Sequence, residues 1–206
     1  MAIDQRIRII GGARELFFKL GIRNVTMDEI ARHLQISKKT IYCEFSDKDA
    51  LVDAMVFEDI EKHRKAFDKI FNHSANVVDE VFQIMQKMTE IFSNCNPILY
   101  HDLKKFYPEC WTKFHEFRHN FILGKVERSI EKGKKDGLVR EGLNNKILAL
   151  LRMEEINMGI SGEVFPTDKF NLLEVQLALA EHFLYGICTL KGHKMVNRFK
   201  EISDDE

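Results

Sequence analysis

Apolar residues recur every three or four positions along most of the chain, and no stretch alternates with the two-residue period of a half-buried strand. The predicted fold class is therefore all-α, with about nine or ten helices. Ile3, Ile7, Ile10, Ala13, Phe17 and Leu20 define a first helix that stops at Gly21, a residue suited to a left-handed C-cap. Gly11 and Gly12 inside it cost roughly 1 kcal/mol each against alanine, and close packing against a neighbour is the expected reason. Thr26-Met27-Asp28-Glu29 spells a capping box that opens a short second helix with Ile30, Ala31 and Leu34. Ser37 is placed to cap a third helix ending near Phe45, and Ser46 a fourth, with Asp47 and Asp49 in its first turn, running to about Phe71. A broad apolar face from Val77 to Phe92 predicts a central bundle helix. A shorter helix to about Phe106, a long one from Pro108 to about Lys135, and helices over 144–159 and 170–189 follow; a frayed piece is expected from Met195 to Phe199.

Length allows one large or two small domains at 206 residues. The net charge of -1 gives no global basic field. The first fifty residues nevertheless carry nine Lys or Arg against seven Asp or Glu, a mild basic bias. The four cysteines, Cys43, Cys95, Cys110 and Cys188, form no CxxC pair, so neither a cysteine zinc site nor a disulfide framework is expected. No apolar run approaches a membrane span and the N-terminus lacks a signal-peptide core, so a cytoplasmic protein with no membrane partner is expected. The acidic end Asp204-Asp205-Glu206 is expected to be disordered.

Three short helices in fifty residues can bury one small core, for which Ile10, Phe17, Ile30, Leu34, Ile36, Ile41 and Phe45 are the candidates. His33-Leu34-Gln35-Ile36-Ser37 forms the tight turn of a helix-turn-helix unit. In SKKTIYCEFSDK, residues 37–48, Ile41 and Phe45 share one face, which leaves Lys38, Lys39, Thr40, Tyr42 and Cys43 largely outward. Lysines neutralise phosphates, hydroxyls bond phosphate oxygens, and the first turn of such a helix reaches base edges in the major groove. From residue types alone, a merely solvated helix face stands as the alternative.

Residues 6–55 resemble the DNA-binding domain of TetR/AcrR-type transcriptional regulators. The resemblance rests on Ala13–Phe17, Gly21, Thr26 with Ile30-Ala31, Ser37, Thr40-Ile41-Tyr42, Phe45 and Lys48. It implies a helix-turn-helix DNA-binding domain over 1–48 and a helical regulatory, ligand-binding and dimerisation domain over 49–206. It also implies roles by position: Thr26, Tyr42 and Lys48 on backbone phosphates, and Ser37, Lys38, Lys39 and Thr40 at or near base edges. The implied partners are a palindromic double-stranded DNA operator, a small hydrophobic effector, and a second copy of the chain through the last two long helices. Three positions depart from the family pattern: Gln35 stands where Gly is common, Lys39 where Gly or Pro is common, and Glu44 where many members carry an aromatic or histidine near the DNA.

Leu173, Leu177, Ala180, Leu184 and Ile187, widened by Val175, Leu179 and Phe183, make the last long helix apolar nearly all round, as a dimer helix or a wholly internal one requires. Phe82, Met85, Met88, Phe92, Phe106, Tyr107, Trp111, Phe114, Phe117 and Phe121 are candidates for pocket walls or plain core; no ligand-contacting residue is assigned. His115-Glu116-Phe117-Arg118-His119 fits HExxH, the spacing that puts two imidazoles on one zinc, but no third ligand stands at a metzincin position. The expectation is a regulator, a repressor in the family's manner, without enzymatic activity, cofactor or metal. The alternatives are an HExxH metal-dependent hydrolase and a helical ligand-binding protein with a vestigial DNA-binding head.

Overall fold

The computed structural model describes residues 5–93 and 95–202; Ile3 and the acidic end lie outside them. Eleven α-helices appear there: α1 (Gln5–Leu20), α2 (Met27–Leu34), α3 (Lys38–Glu44), α4 (Lys48–His73), α5 (Val77–Phe92), α6 (Ile98–Phe106), α7 (Pro108–Glu116), α8 (Leu123–Lys135), α9 (Asn145–Ser161), α10 (Leu172–Ile187) and α11 (Leu190–Lys200). A π-helix, Phe117–Ile122, stands between α7 and α8. The all-α class is thus observed, and no strand occurs among the described residues.

Two compact units divide the chain, one of residues 1–63 with 94–115, the other of 64–93 with 116–206. Unit one is larger than a 1–48 head. Leu51, Val52 and Met55 of α4 and Leu99 and Leu103 of α6 are buried alongside the core of the first three helices. Arg14 of α1 reaches Asp59 of α4 at 2.7 Å and Glu58 at 3.5 Å. At the end of α1, Gly21 takes φ +81°, and a Cβ there would stand 2.5 Å from Ile98. Only glycine lets the chain turn left-handed under α6. Gly12 has its packing reason too, because a Cβ would meet Leu34 at 2.5 Å; nothing lies within 4 Å of Gly11.

Unit two is built on Val77 and Val78 of α5. They share one buried cluster with Ile130 of α8, Ala149 of α9, Phe183, Leu184 and Ile187 of α10, and Val196 of α11. Leu184 and Ile187 therefore belong to this core, and Ala180 is likewise buried at 1% exposed, so none of the three is a free surface. The last helix starts earlier than apolar spacing indicates. Thr189 caps it by accepting from Gly192 N–H at 3.2 Å, and Val196 is fully buried. The fourth helix is capped by Asp47, not Ser46: the Asp47 carboxylate accepts from Ala50 N–H at 2.8 Å while the Ser46 hydroxyl donates to it at 3.0 Å.

Candidate nucleic-acid interface

Thr26 is the N-cap of α2. Its hydroxyl accepts from Glu29 N–H at 3.2 Å, and the Glu29 carboxylate accepts from Thr26 N–H at 2.7 Å, so the capping box is closed from both sides. Two hydrogen bonds to this carboxylate, from the Thr26 backbone first and its hydroxyl second, hold Glu29 below the usual carboxylate range. Gln35 ends α2 in the left-handed region, φ 54° and ψ 44°. Ile36 N–H then bonds Ala31 carbonyl at 3.0 Å, and the chain turns into α3.

Ser37 caps α3, accepting from Thr40 N–H at 3.0 Å, and the two hydroxyls lie 2.8 Å apart. Ile41 is fully buried and Phe45 is 3% exposed, with the Arg6 guanidinium 4.4 Å over its ring. Arg8 adds a bond to Leu34 carbonyl at 2.8 Å, so two arginines of α1 brace the turn and the end of α3. Burying Ile41 is worth about 1.5–3 kcal/mol, enough to orient so short a helix. Of the seven DNA-contact candidates, Thr26, Ser37, Lys38, Lys39 and Tyr42 are exposed, and Thr40 and Lys48 are partly so.

Their charges are not equally available. Lys38 donates to Asp28 at 3.0 Å, and that bond raises its pKa. Lys48 donates to Ile22 carbonyl at 2.6 Å and stands 5.8 Å over the Phe17 ring; burial lowers its pKa. Lys39 is left as the exposed lysine of the α3 first turn with neither arrangement. Sequence spacing carried no sign of the Asp28 and Ile22 partners, which come from other elements. Cys43 is exposed on the same helix, whereas burial pushes the Cys95 thiol up to about 12 and those of Cys110 and Cys188 to about 11.

The aromatic candidates divide between the units. Met88 and Phe117 are buried, while Phe82 stacks on Phe199 at 4.8 Å and Phe117 on Phe121 at 5.3 Å in unit two. Trp111 and Phe114 lie 6.1 Å apart in unit one. His115 ends α7, and the register changes at Phe117 to i→i+5, before His119. Among the described residues no three His, Cys, Asp or Glu side chains are grouped to hold a metal. No helix described is long and apolar enough to cross a membrane.

Residues 9–55 match the family described as bacterial regulatory proteins, tetR family. The uncharacterized HTH-type transcriptional regulator YvaF of Bacillus subtilis is 32% identical over 93 residues, covering 45% of this chain and 49% of that protein. The chain thus matches about half the length of this relative. Escherichia coli NemR, in its reduced form, shares the fold with a TM-score of 0.68 at 14% identity, over 91% of this chain and 98% of that one. A transcriptional regulator FadR from Bacillus subtilis, solved in complex with stearoyl-CoA, aligns with a TM-score of 0.61 at 16% identity, over 88% and 98%.

Proposed function

We propose, from the match of residues 9–55 to the tetR family of bacterial regulatory proteins and the likeness to YvaF, that the chain is a homodimeric, cytoplasmic repressor released from a palindromic operator by a small hydrophobic effector. The observation that carries the DNA-binding part is α3 itself. Ile41 and Phe45 hold it from behind, and its hydroxyls, lysines and tyrosine face water. Thr26 and Tyr42 take phosphates in this reading. Ser37, Lys38, Lys39 and Thr40 face base edges, and Lys48 acts from the start of α4. Lys48 has two further N–H donors besides the one on Ile22 carbonyl, so it can brace the α1–α2 turn and still meet a phosphate. The stearoyl-CoA bound to a fold neighbour supports an apolar effector for this chain.

The second copy is assigned to α9 and α10. Ile147, Leu150 and Leu151 are 63%, 47% and 49% exposed on α9, three and four residues apart. Glu174, Ala178, His182 and Gly186 form an exposed strip along α10. Two α3 helices on one dimer then need half-sites roughly 34–36 Å apart on one face of the duplex.

Cys43 gives the test, because the other three thiols are buried. A duplex recovered by selection from a random pool should slow alkylation of Cys43 at saturating DNA. Alkylation at an unchanged rate on the bound protein would remove α3 from the interface. A pool that yields no enriched palindrome would remove the operator.

A further inference from the structure

A cleft of about 400 Å³ in unit one is lined by Arg23, Asn24, Ile98, His101, Asp102, Lys105 and Phe106. It joins the α1–α2 turn to α6. The Arg23 guanidinium lies 4.4 Å from the centre of the Phe106 ring and the Lys105 ammonium 5.4 Å from it, so one exposed aromatic ring holds two cations close together. Neither is in an ion pair among the described residues. Asp102, 3% exposed, brings the only carboxylate; it accepts from Arg23 N–H at 2.9 Å, with His101 Nδ1 3.7 Å away. Asp102 thus lies beneath the rim and fixes the turn, while Arg23 and Lys105 are exposed on it.

We propose that Arg23 and Lys105 bind a phosphate of the DNA backbone outside the helix-turn-helix, extending each half-site contact onto α6. The proposal rests on the DNA-binding reading above. Two observations place the cleft on the DNA side of unit one. Arg23 stands three residues before Thr26, the cap assigned to a phosphate. Lys48, at the start of α4, donates to the carbonyl of Ile22, the residue before Arg23, at 2.6 Å. The need for such a site is physical. Lys38 is paired with Asp28 and Lys48 is drawn inward, so α3 and α4 present few unengaged cations to a polyanion. A guanidinium held over a ring still has N–H donors for a phosphate's oxygens, and pre-positioning lowers the entropy lost on binding.

The experiment is the salt dependence of affinity for a selected duplex with ten base pairs of flank on each side. Each phosphate contact contributes about 0.9 to the slope of log K against log salt. Arg23→Gln/Lys105→Gln should flatten the slope by about 0.9 per protomer, and Lys105→Gln alone by less than that, with unchanged melting temperature. Lys69→Gln, on the exposed part of α4 in unit two, should leave it unchanged. Trimming the flanks should erase the difference between wild type and the double variant. A slope unaltered in the double variant, while Lys48→Gln still flattens it, overturns this proposal and leaves the DNA-binding reading standing. A melting temperature raised by inorganic phosphate over chloride at equal ionic strength, lost in the double variant and without a slope change, also overturns it by making the cleft a site for a free anion. No binding by wild type to any duplex overturns both.

Discussion

Helices α3 and α9 divide their polarity in opposite ways. α3 buries Ile41 and turns Lys38, Lys39, Tyr42 and Glu44 to water. α9 buries Arg152 and Glu155, 7% and 5% exposed, and turns Ile147, Leu150 and Leu151 outward. A polar face over an apolar back suits a charged, wet partner such as a DNA groove. An apolar face over a buried ion pair wastes burial free energy in an isolated chain, and gains it back when a second apolar surface covers the helix. The proposed division into a nucleic-acid surface on α3 and a protein surface on α9 rests on this contrast.

The largest expected effect breaks the outward face of α9. Leu150→Glu/Leu151→Glu should give a folded monomer by light scattering, with operator affinity lowered about a hundredfold or more, since the second head no longer binds intramolecularly. Leu184→Glu should instead unfold unit two, because that side chain sits in the core. A folded dimer from the double variant would move the interface off α9.

Next comes the inward face. Arg152 Nη1 lies 3.0 Å from Glu155 Oε2, and the guanidinium stands 5.7 Å over the Phe183 ring. Burial depresses the Arg152 pKa, and the bond and charge of Glu155 oppose that. Arg152→Met should cost about 3–5 kcal/mol in urea unfolding by stranding a buried carboxylate. Arg152→Met/Glu155→Leu should recover most of that loss. If the single variant is as stable as wild type, Arg152 is not the partner that the buried Glu155 side chain needs.

A smaller effect is tied to pH. Burial, opposed by Ser129 and Lys132, pushes the Glu80 carboxyl up to about 7 from an ordinary value near 4.5. The folded state therefore favours the protonated acid. The stability it contributes is fully present below the unfolded pKa and is lost as pH rises through about 7, by at most about 3 kcal/mol. Glu80→Gln should remove this part of the fall between pH 5 and pH 8. Asp59 in unit one, raised to about 6 chiefly by burial, adds a fall of the same sign that persists in the variant. An unchanged pH profile in Glu80→Gln would show that Glu80 titrates normally.

The helix-turn-helix was readable because its signals are local. Thr26 with Glu29, Ser37 with Thr40, and Ile41 with Phe45 are three or four residues apart, and each forms as its spacing implies. What escaped depends on distant partners. Asp28 on Lys38, Ile22 carbonyl on Lys48, and Phe106 under Arg23 are ten, 26 and 83 residues away in sequence. The π-helix escaped because α7 and α8 carry one continuous apolar rhythm through Phe114, Phe117 and Phe121. The α11 start escaped because Leu190 is 81% exposed and Gly192 weakens the pattern, although Thr189 is an ordinary cap. Gly192 is needed there: a Cβ would stand 2.4 Å from Leu138 carbonyl.

The smallest expected effect tests the turn that presents α3. Gln35 holds φ 54° although its side chain is exposed, and its N–H bonds the end of α2, at 3.2 Å to Arg32 carbonyl. An L-residue in the left-handed region costs roughly 1–2 kcal/mol, which glycine avoids. Glycine also adds about 0.4–1 kcal/mol of unfolded-state entropy to be lost on folding. Gln35→Gly should therefore stabilise unit one by a few tenths to about 1 kcal/mol, and Gln35→Ala should change little, since it keeps the Cβ that carries the strain. Operator affinity should hold in both variants, because Ser37, Thr40 and Ile41 fix α3 from its own side of the turn. A Gln35→Gly protein that melts lower than wild type would mean that the glutamine side chain contributes more than its backbone strain removes. A stable Gln35→Gly protein with altered operator preference would mean that residue 35 itself lies against the DNA.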